Sequence, residues 1–132
     1  MLFRSAKNGK STYFITAADL IMNLKKARLE NRLEERMKHY GRYSLLIIDE
    51  VGYLQIEEEV TSMFFYLISK RHGRKSTIIT TNCELNKWAD VFRDSILANA
   101  IFDRLADFRS PVIKIIGPSY RTKHLLENES GV

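Results

Sequence analysis

The chain has 132 residues, 45% hydrophobic and 28% charged, which suits one globular domain with a real core and excludes wholesale disorder. Its 21 Lys and Arg against 16 Asp and Glu give a formal net charge of +5, a balance that favours polyanionic partners such as nucleic acid. A single cysteine, Cys83, excludes an internal disulfide and fits a reducing compartment, and the scattered His39, His72 and His124 lack metal-ligand spacing.

Near the start, Gly9-Lys10-Ser11 matches the end of a G-x-x-x-x-G-K-[ST] phosphate loop, but Arg4 stands where the first glycine belongs. Such a loop also opens a helix, whereas Ser11 to Thr16 (STYFIT) is a β-branched and aromatic run that reads as a strand. NGKST is therefore a turn feeding a strand. Thr16 then caps a helix, with Asp19 placed for a capping box. Leu20, Leu24, Ala27, Leu33, Met37 and Tyr40 recur at roughly helical spacing and predict one long amphipathic helix to about Gly41. Lys25, Lys26, Arg28, Arg32, Arg36 and Lys38 form its other face, a candidate DNA-binding surface. Glu30, Glu34 and Glu35 sit at salt-bridge spacing among them, which supports the plainer reading of a solvated face.

YSLLIID (Tyr43 to Asp49) is a continuous apolar run of strand length, the pattern of a parallel strand buried on both faces. Glu57 to His72 reads as a helix with acids in its first turn and bases in its last, closed by Gly73. STIITTN (Ser76 to Asn82) reads as another buried strand. A turn through Trp88 leads to a helix from about Ser95 to Leu105. VIKIIG (Val112 to Gly117) is a final strand, Ser119-Tyr120-Arg121 begins a short helix, and the tail NESGV frays. No apolar run approaches the roughly 18 residues of a membrane span, and no small-residue cleavage site marks a signal peptide. A cytoplasmic protein without membrane contact is expected.

Alternating strands and helices predict an α/β domain with a mainly parallel sheet. Ligands of such sheets bind beyond the carboxyl ends of the strands, where Asp49, Glu50 and Asn82 fall. In a nucleotide hydrolase the first acid of such a pair holds Mg2+ and the second orients the attacking water; a charged turn is the other reading. Asn82 is placed to touch a γ-phosphate or that water, or to serve as a turn residue. Arg104 and Arg121, taken singly, read as surface ion pairs.

In series, these segments resemble the AAA+ ATPases, and within them the IstB-like group, ATP-binding helpers of insertion-sequence transposition related to the DnaC helicase loaders. The matching stretches are TAADL (Thr16 to Leu20), LLIIDEVGYL (Leu45 to Leu54), STIITTN, the Trp88 turn, DRL (Asp103 to Leu105) and GPSYR (Gly117 to Arg121), which span residues from about 11 to 123. The resemblance implies a P-loop-NTPase-like αβα sandwich, ATP and Mg2+ as ligands, and DNA, a transposase and further copies of the chain as partners. It implies that Asp49 is the Walker B acid for Mg2+ and Glu50 the acid that activates water. Asn82 would be sensor 1, Arg104 the arginine finger acting on a neighbouring subunit, and Arg121 the nucleotide-contacting sensor 2.

The family carries a strand, a phosphate loop and a helix ahead of the matching region. Residues 1–132 thus read as the part of the domain that follows Walker A, with Met1 to Lys10 the end of that helix and a turn. A fragment of a transposition ATPase, inactive alone for want of a phosphate cradle, is the leading expectation. A non-catalytic DNA-binding module and a fragment of a DnaC-like loader are the alternatives. In the family's sheet the missing strand lies between STIITTN and VIKIIG, so either VIKIIG closes against STIITTN or it detaches; both expose apolar surface.

Overall fold

The computed structural model describes residues 2–5 and 10–106. In chain order the elements are β1 (Leu2–Ser5), β2 (Lys10–Thr16), α1 (Ala17–Leu29), α2 (Leu33–Gly41), β3 (Leu45–Val51), α3 (Glu58–Arg71), β4 (Ser76–Thr81), α4 (Trp88–Phe92) and α5 (Ser95–Leu105). The sheet order is β1-β2-β3-β4. β2, β3 and β4 are parallel neighbours, with Phe14 opposite Ile47 and Ile47 opposite Ile78. Each parallel step is made by a helical crossover, as parallel pairing requires. The fold is α/β, as expected, around a three-stranded parallel core.

β1 corrects the reading of the first residues as a helix end. Leu2 to Ser5 pair antiparallel with β2, Leu2 opposite Tyr13 and Ser5 opposite Lys10. The short stretch between Ser5 and Lys10 is a length that antiparallel neighbours can bridge and parallel ones cannot.

The single long helix is also corrected. α1 stops at Leu29 and α2 starts at Leu33, with Asn31 between them in the left-handed region at φ 56°. Leu20, Leu24 and Ala27 are buried from α1, and the next step of that stripe falls on Asn31. Leu33, Met37 and Tyr40 form a second stripe out of phase with the first. A break lets both stripes face the core, and asparagine tolerates the left-handed backbone the break needs. Thr16 caps α1 as predicted, its hydroxyl accepting the Asp19 N–H at 3.2 Å.

All five helices reach one core, in which Leu20, Met37, Phe64, Phe92 and Ile101 pack around Leu46, Ile48 and Val51. On β3 those three residues are buried, but Leu45 and Ile47 on the other face are only half-buried. β4 has no buried residue at all; Ile79 leans on the core while Ile78 is 47% exposed. The expectation of strands buried on both faces therefore fails for β4 and in part for β3: Ile78 stands opposite Ile47, on the sheet face whose residues are not part of the core cluster among the described residues. The helix beginning at Ser95 is as predicted, capped by Asp94, whose Oδ1 accepts the Leu97 N–H at 3.0 Å. The Trp88 turn tightens into α4, with Trp88 buried. VIKIIG, the SYR helix with Arg121, and the tail lie outside the described residues.

Arg71, in the last turn of α3, is almost fully buried. Its guanidinium donates to the carbonyls of Tyr40, Tyr43 and Ser76 and, through Nε, to the Thr77 hydroxyl. Two of those carbonyl-bearing residues end or follow α2, where backbone acceptors lack helical partners. Burial lowers the Arg71 pKa to about 10, so it stays charged at neutral pH.

Candidate functional site

The carboxyl end of β3 breaks the period of two. Ile48 and Val51 are both fully buried, yet residues three apart in a regular strand face opposite sides. A register irregularity between them resolves the conflict, with Glu50 in the left-handed region at φ 61°. The extra residue turns Asp49 and Glu50 out of the core together, Asp49 half-buried and Glu50 exposed. The same need to bury Val51 thus fixes where the acid pair emerges.

β4 holds this bulge from the side. The Thr80 hydroxyl accepts the Glu50 N–H at 3.0 Å and donates to Asp49 Oδ1. The Thr81 hydroxyl donates to the Val51 carbonyl at 2.6 Å and accepts the Cys83 N–H at 3.1 Å. Gly52 follows at φ 98°, and a Cβ there would stand 3.0 Å from the Cys83 Cβ and 3.2 Å from the Thr81 hydroxyl. A glycine is required on both counts. The result is an open hollow of about 220 Å³ lined by Glu50, Tyr53, Thr80, Thr81 and Asn82.

Glu50 and Asn82 therefore line one hollow at the strand ends, and Asp49 adjoins it through its bond to Thr80. Carboxylate, hydroxyl and amide oxygens are the donor set that suits Mg2+. Among the described residues no group of three His, Cys, Asp or Glu could enclose a metal. An ion held by Asp49 would complete its shell with water and ligand oxygens, which is the habit of Mg2+. The lining includes no Lys or Arg, so these residues fit the metal and water side of a nucleotide site and not its phosphate cradle.

Arg104 is elsewhere. Its guanidinium carbon sits 5.1 Å from the centre of the Phe65 ring, and its carbonyl is 3.0 Å from His72 Nδ1, so it packs along α3. Of the basic residues, Lys25 pairs with Glu57 at 2.7 Å and Arg28 pairs with Glu59. The hydrogen bond and charge of Lys25 hold the Glu57 carboxyl below its usual range. Lys26, Arg32, Arg36 and Lys38 are exposed, and the break at Asn31 divides them between two helices. Sequence reasoning missed Thr80, Thr81 and Tyr53. Thr80 was findable: once the two aliphatic runs are laid in parallel register, Ile48 meets Ile79 and the next residues are Asp49 and Thr80.

The family described as IstB-like ATP binding protein matches residues 1–128. The "Insertion sequence IS232 putative ATP-binding protein" of Bacillus thuringiensis subsp. berliner is 51% identical over 126 residues, covering 96% of this chain and 50% of the relative. The "Insertion sequence IS21 putative ATP-binding protein" of Pseudomonas aeruginosa is 40% identical over 115 residues, 87% of this chain and 43% of the relative. The chain spans about half the length of the curated relatives it matches. Among solved structures, the DnaC helicase loader superposes with a TM-score of 0.60 at 26% identity, covering 74% of this chain and 60% of that one. AMPPCP-bound DnaA from Aquifex aeolicus gives 0.61 at 20% identity, covering 71% and 30%, a likeness of fold.

Proposed function

The chain belongs to the IstB-like ATP-binding family, and on that premise we propose that it forms the Walker B side of an insertion-sequence ATPase. The observation that carries this reading is that Glu50 and Asn82 line one hollow and that Asp49, beside Glu50 in the chain, is bonded to Thr80 of the same lining. Mg2+, when bound with nucleotide, offsets the charge that develops on the phosphates. Asp49 is the residue to hold it. Glu50, exposed beside it, orients the attacking water and draws off its proton. The Asn82 amide is the donor for the γ-phosphate or for that water.

Arg104, whose guanidinium packs against Phe65 of its own chain and away from the acid pair, takes the family's arginine-finger role on a neighbouring copy, which makes the working ATPase a homo-oligomer. Arg121 takes the sensor 2 role. The partners are DNA and a transposase, and the compartment is the cytoplasm; no helix among the described residues is long and apolar enough to cross a membrane. The isolated 132 residues, whose Gly9-Lys10-Ser11 lacks the first loop glycine, do not bind ATP by themselves. The likeness to DnaC supports a second reading, in which the same site serves a helicase loader.

The test joins this chain to the segment that precedes the matching region in the Bacillus thuringiensis relative. The joined protein should hydrolyse ATP with Mg2+. Glu50→Gln should keep ATP binding and lower turnover about 100-fold or more, and Asp49→Asn should weaken the Mg2+ dependence. Turnover of Glu50→Gln equal to the parent's would remove Glu50 from its role. Micromolar binding of an ATP analogue to the isolated chain, abolished by Lys10→Ala, would sink the claim that it lacks a phosphate site.

A further inference from the structure

We propose that Thr80 is a positioning residue that sets the geometry of the acid pair, an inference that rests on the reading of Asp49 and Glu50 above. The bulge that buries both Ile48 and Val51 takes Glu50 out of the regular β3–β4 ladder, so its N–H needs another acceptor. The Thr80 hydroxyl is that acceptor, at 3.0 Å. A hydroxyl has one proton to donate and lone pairs to accept with. Here the proton is directed to Asp49 Oδ1, which leaves a lone pair facing the Glu50 N–H. One side chain thereby fixes the carboxylate of the first acid and the left-handed backbone of the second.

Two chemical consequences follow. With Oδ1 accepting the Thr80 proton, Asp49 is fixed in orientation, and Oδ2 is the oxygen free of that bond that it would offer a metal. Glu50, which lines the hollow, is held at φ 61°, a backbone state that a non-glycine residue seldom adopts unaided. Thr80 itself lines that hollow and acts through the acids beside it. The requirement is for a hydroxyl and not for size: valine has the same shape and can make neither bond.

The experiment compares the parent chain with Thr80→Val, Thr80→Ala and Thr80→Ser by amide hydrogen exchange read by NMR. In the Val and Ala variants the Glu50 amide should exchange at least about ten-fold faster, because its acceptor is gone, while the Leu46 and Ile48 amides keep the parent's rates. Thr80→Ser should restore protection of Glu50. In the joined ATPase, Thr80→Val should lower kcat with the KM for ATP unchanged, and Thr80→Ser should recover it. Unchanged Glu50 exchange in both hydroxyl-free variants would overturn the proposal, as would a Ser variant that behaves like Val. Loss of protection with kcat intact would overturn it too. Should the joined parent hydrolyse no ATP, the nucleotide reading falls, and the exchange rates alone decide whether Thr80 fixes the pair.

Discussion

Arg71 Nη1 lies 2.7 Å from the carbonyl oxygen of Tyr40, a bond between the last turn of α3 and the last turn of α2. The same nitrogen reaches the Tyr43 carbonyl at 2.8 Å, and the other arm takes the Ser76 carbonyl at 2.7 Å. No carboxylate is among these partners. A buried cation is here neutralised by backbone dipoles, much as cations near helix C-termini are favoured. Arg71→Met should leave several buried carbonyls without a donor and destabilise the chain by about 2–4 kcal/mol. Arg71→Lys should recover only part of this, because an ammonium cannot span the fork. Urea unfolding midpoints of the three proteins check both statements.

His39 gives a pH dependence. Its ring packs edge-on against Tyr13, Tyr40 and Tyr43. Burial first, then the charges of Arg42 and Arg36, lower its pKa from the ordinary 6.5. The unfolded chain then takes up the proton more readily than the folded one, so stability is full above about 6.5 and is lost as pH falls below it. The thermal midpoint of the parent should drop more between about pH 7 and pH 5 than that of His39→Gln. An equal drop in both would show that the ring titrates alike folded and unfolded.

The helix break at Asn31 makes a third prediction. Asn31→Val should cost about 1–2 kcal/mol, because a β-branched side chain is strained in the left-handed region. Asn31→Gly should hold or slightly raise stability. Were residues 17–41 one continuous helix, glycine would be the worse substitution, so the order of the two melting temperatures decides the matter.

For DNA, the pairing of Lys25 with Glu57 and Arg28 with Glu59 shifts attention to Lys26, Arg32 and Arg36. If the α1–α2 surface binds DNA phosphates, affinity should weaken with salt, with a log–log slope of about −0.9 per phosphate neutralised. Changing Lys26, Arg32 and Arg36 to Ala should flatten that slope by up to about 0.9 each, and Lys25→Ala should change it less. A salt titration in which the triple variant matches the parent would leave these helices as a solvated face.

What was legible in the sequence was whatever a strong local pattern forces. Four consecutive aliphatics from Leu45, short and β-branched in part, read as a buried strand, and two acids directly after them have to leave the core. Thr16 before an apolar helical run marked one helix start correctly, and the helix expected from about Ser95 begins there. The long-helix reading failed where local pattern and packing part company. No Gly or Pro marks residues 30–32, and the sign was a slip in phase between Ala27 and Leu33. β4 read as buried because Ile78 and Ile79 are apolar; exposure of Ile78 depends on what packs against the second face of the sheet, which the strand's own composition does not encode. The Thr80 hydroxyl was passed over because its role exists only across the β3–β4 register.

β4 carries two unrelated duties on six residues. Thr77, near its start, takes the Arg71 bond that ties the frame together; Thr80, three residues on, touches the acids. Those positions are about 10 Å apart along a strand, far enough for substitutions to act additively. A substitution at Thr80 is therefore expected to disturb the acid pair and leave the Arg71 frame in place, and one at Thr77 to do the reverse.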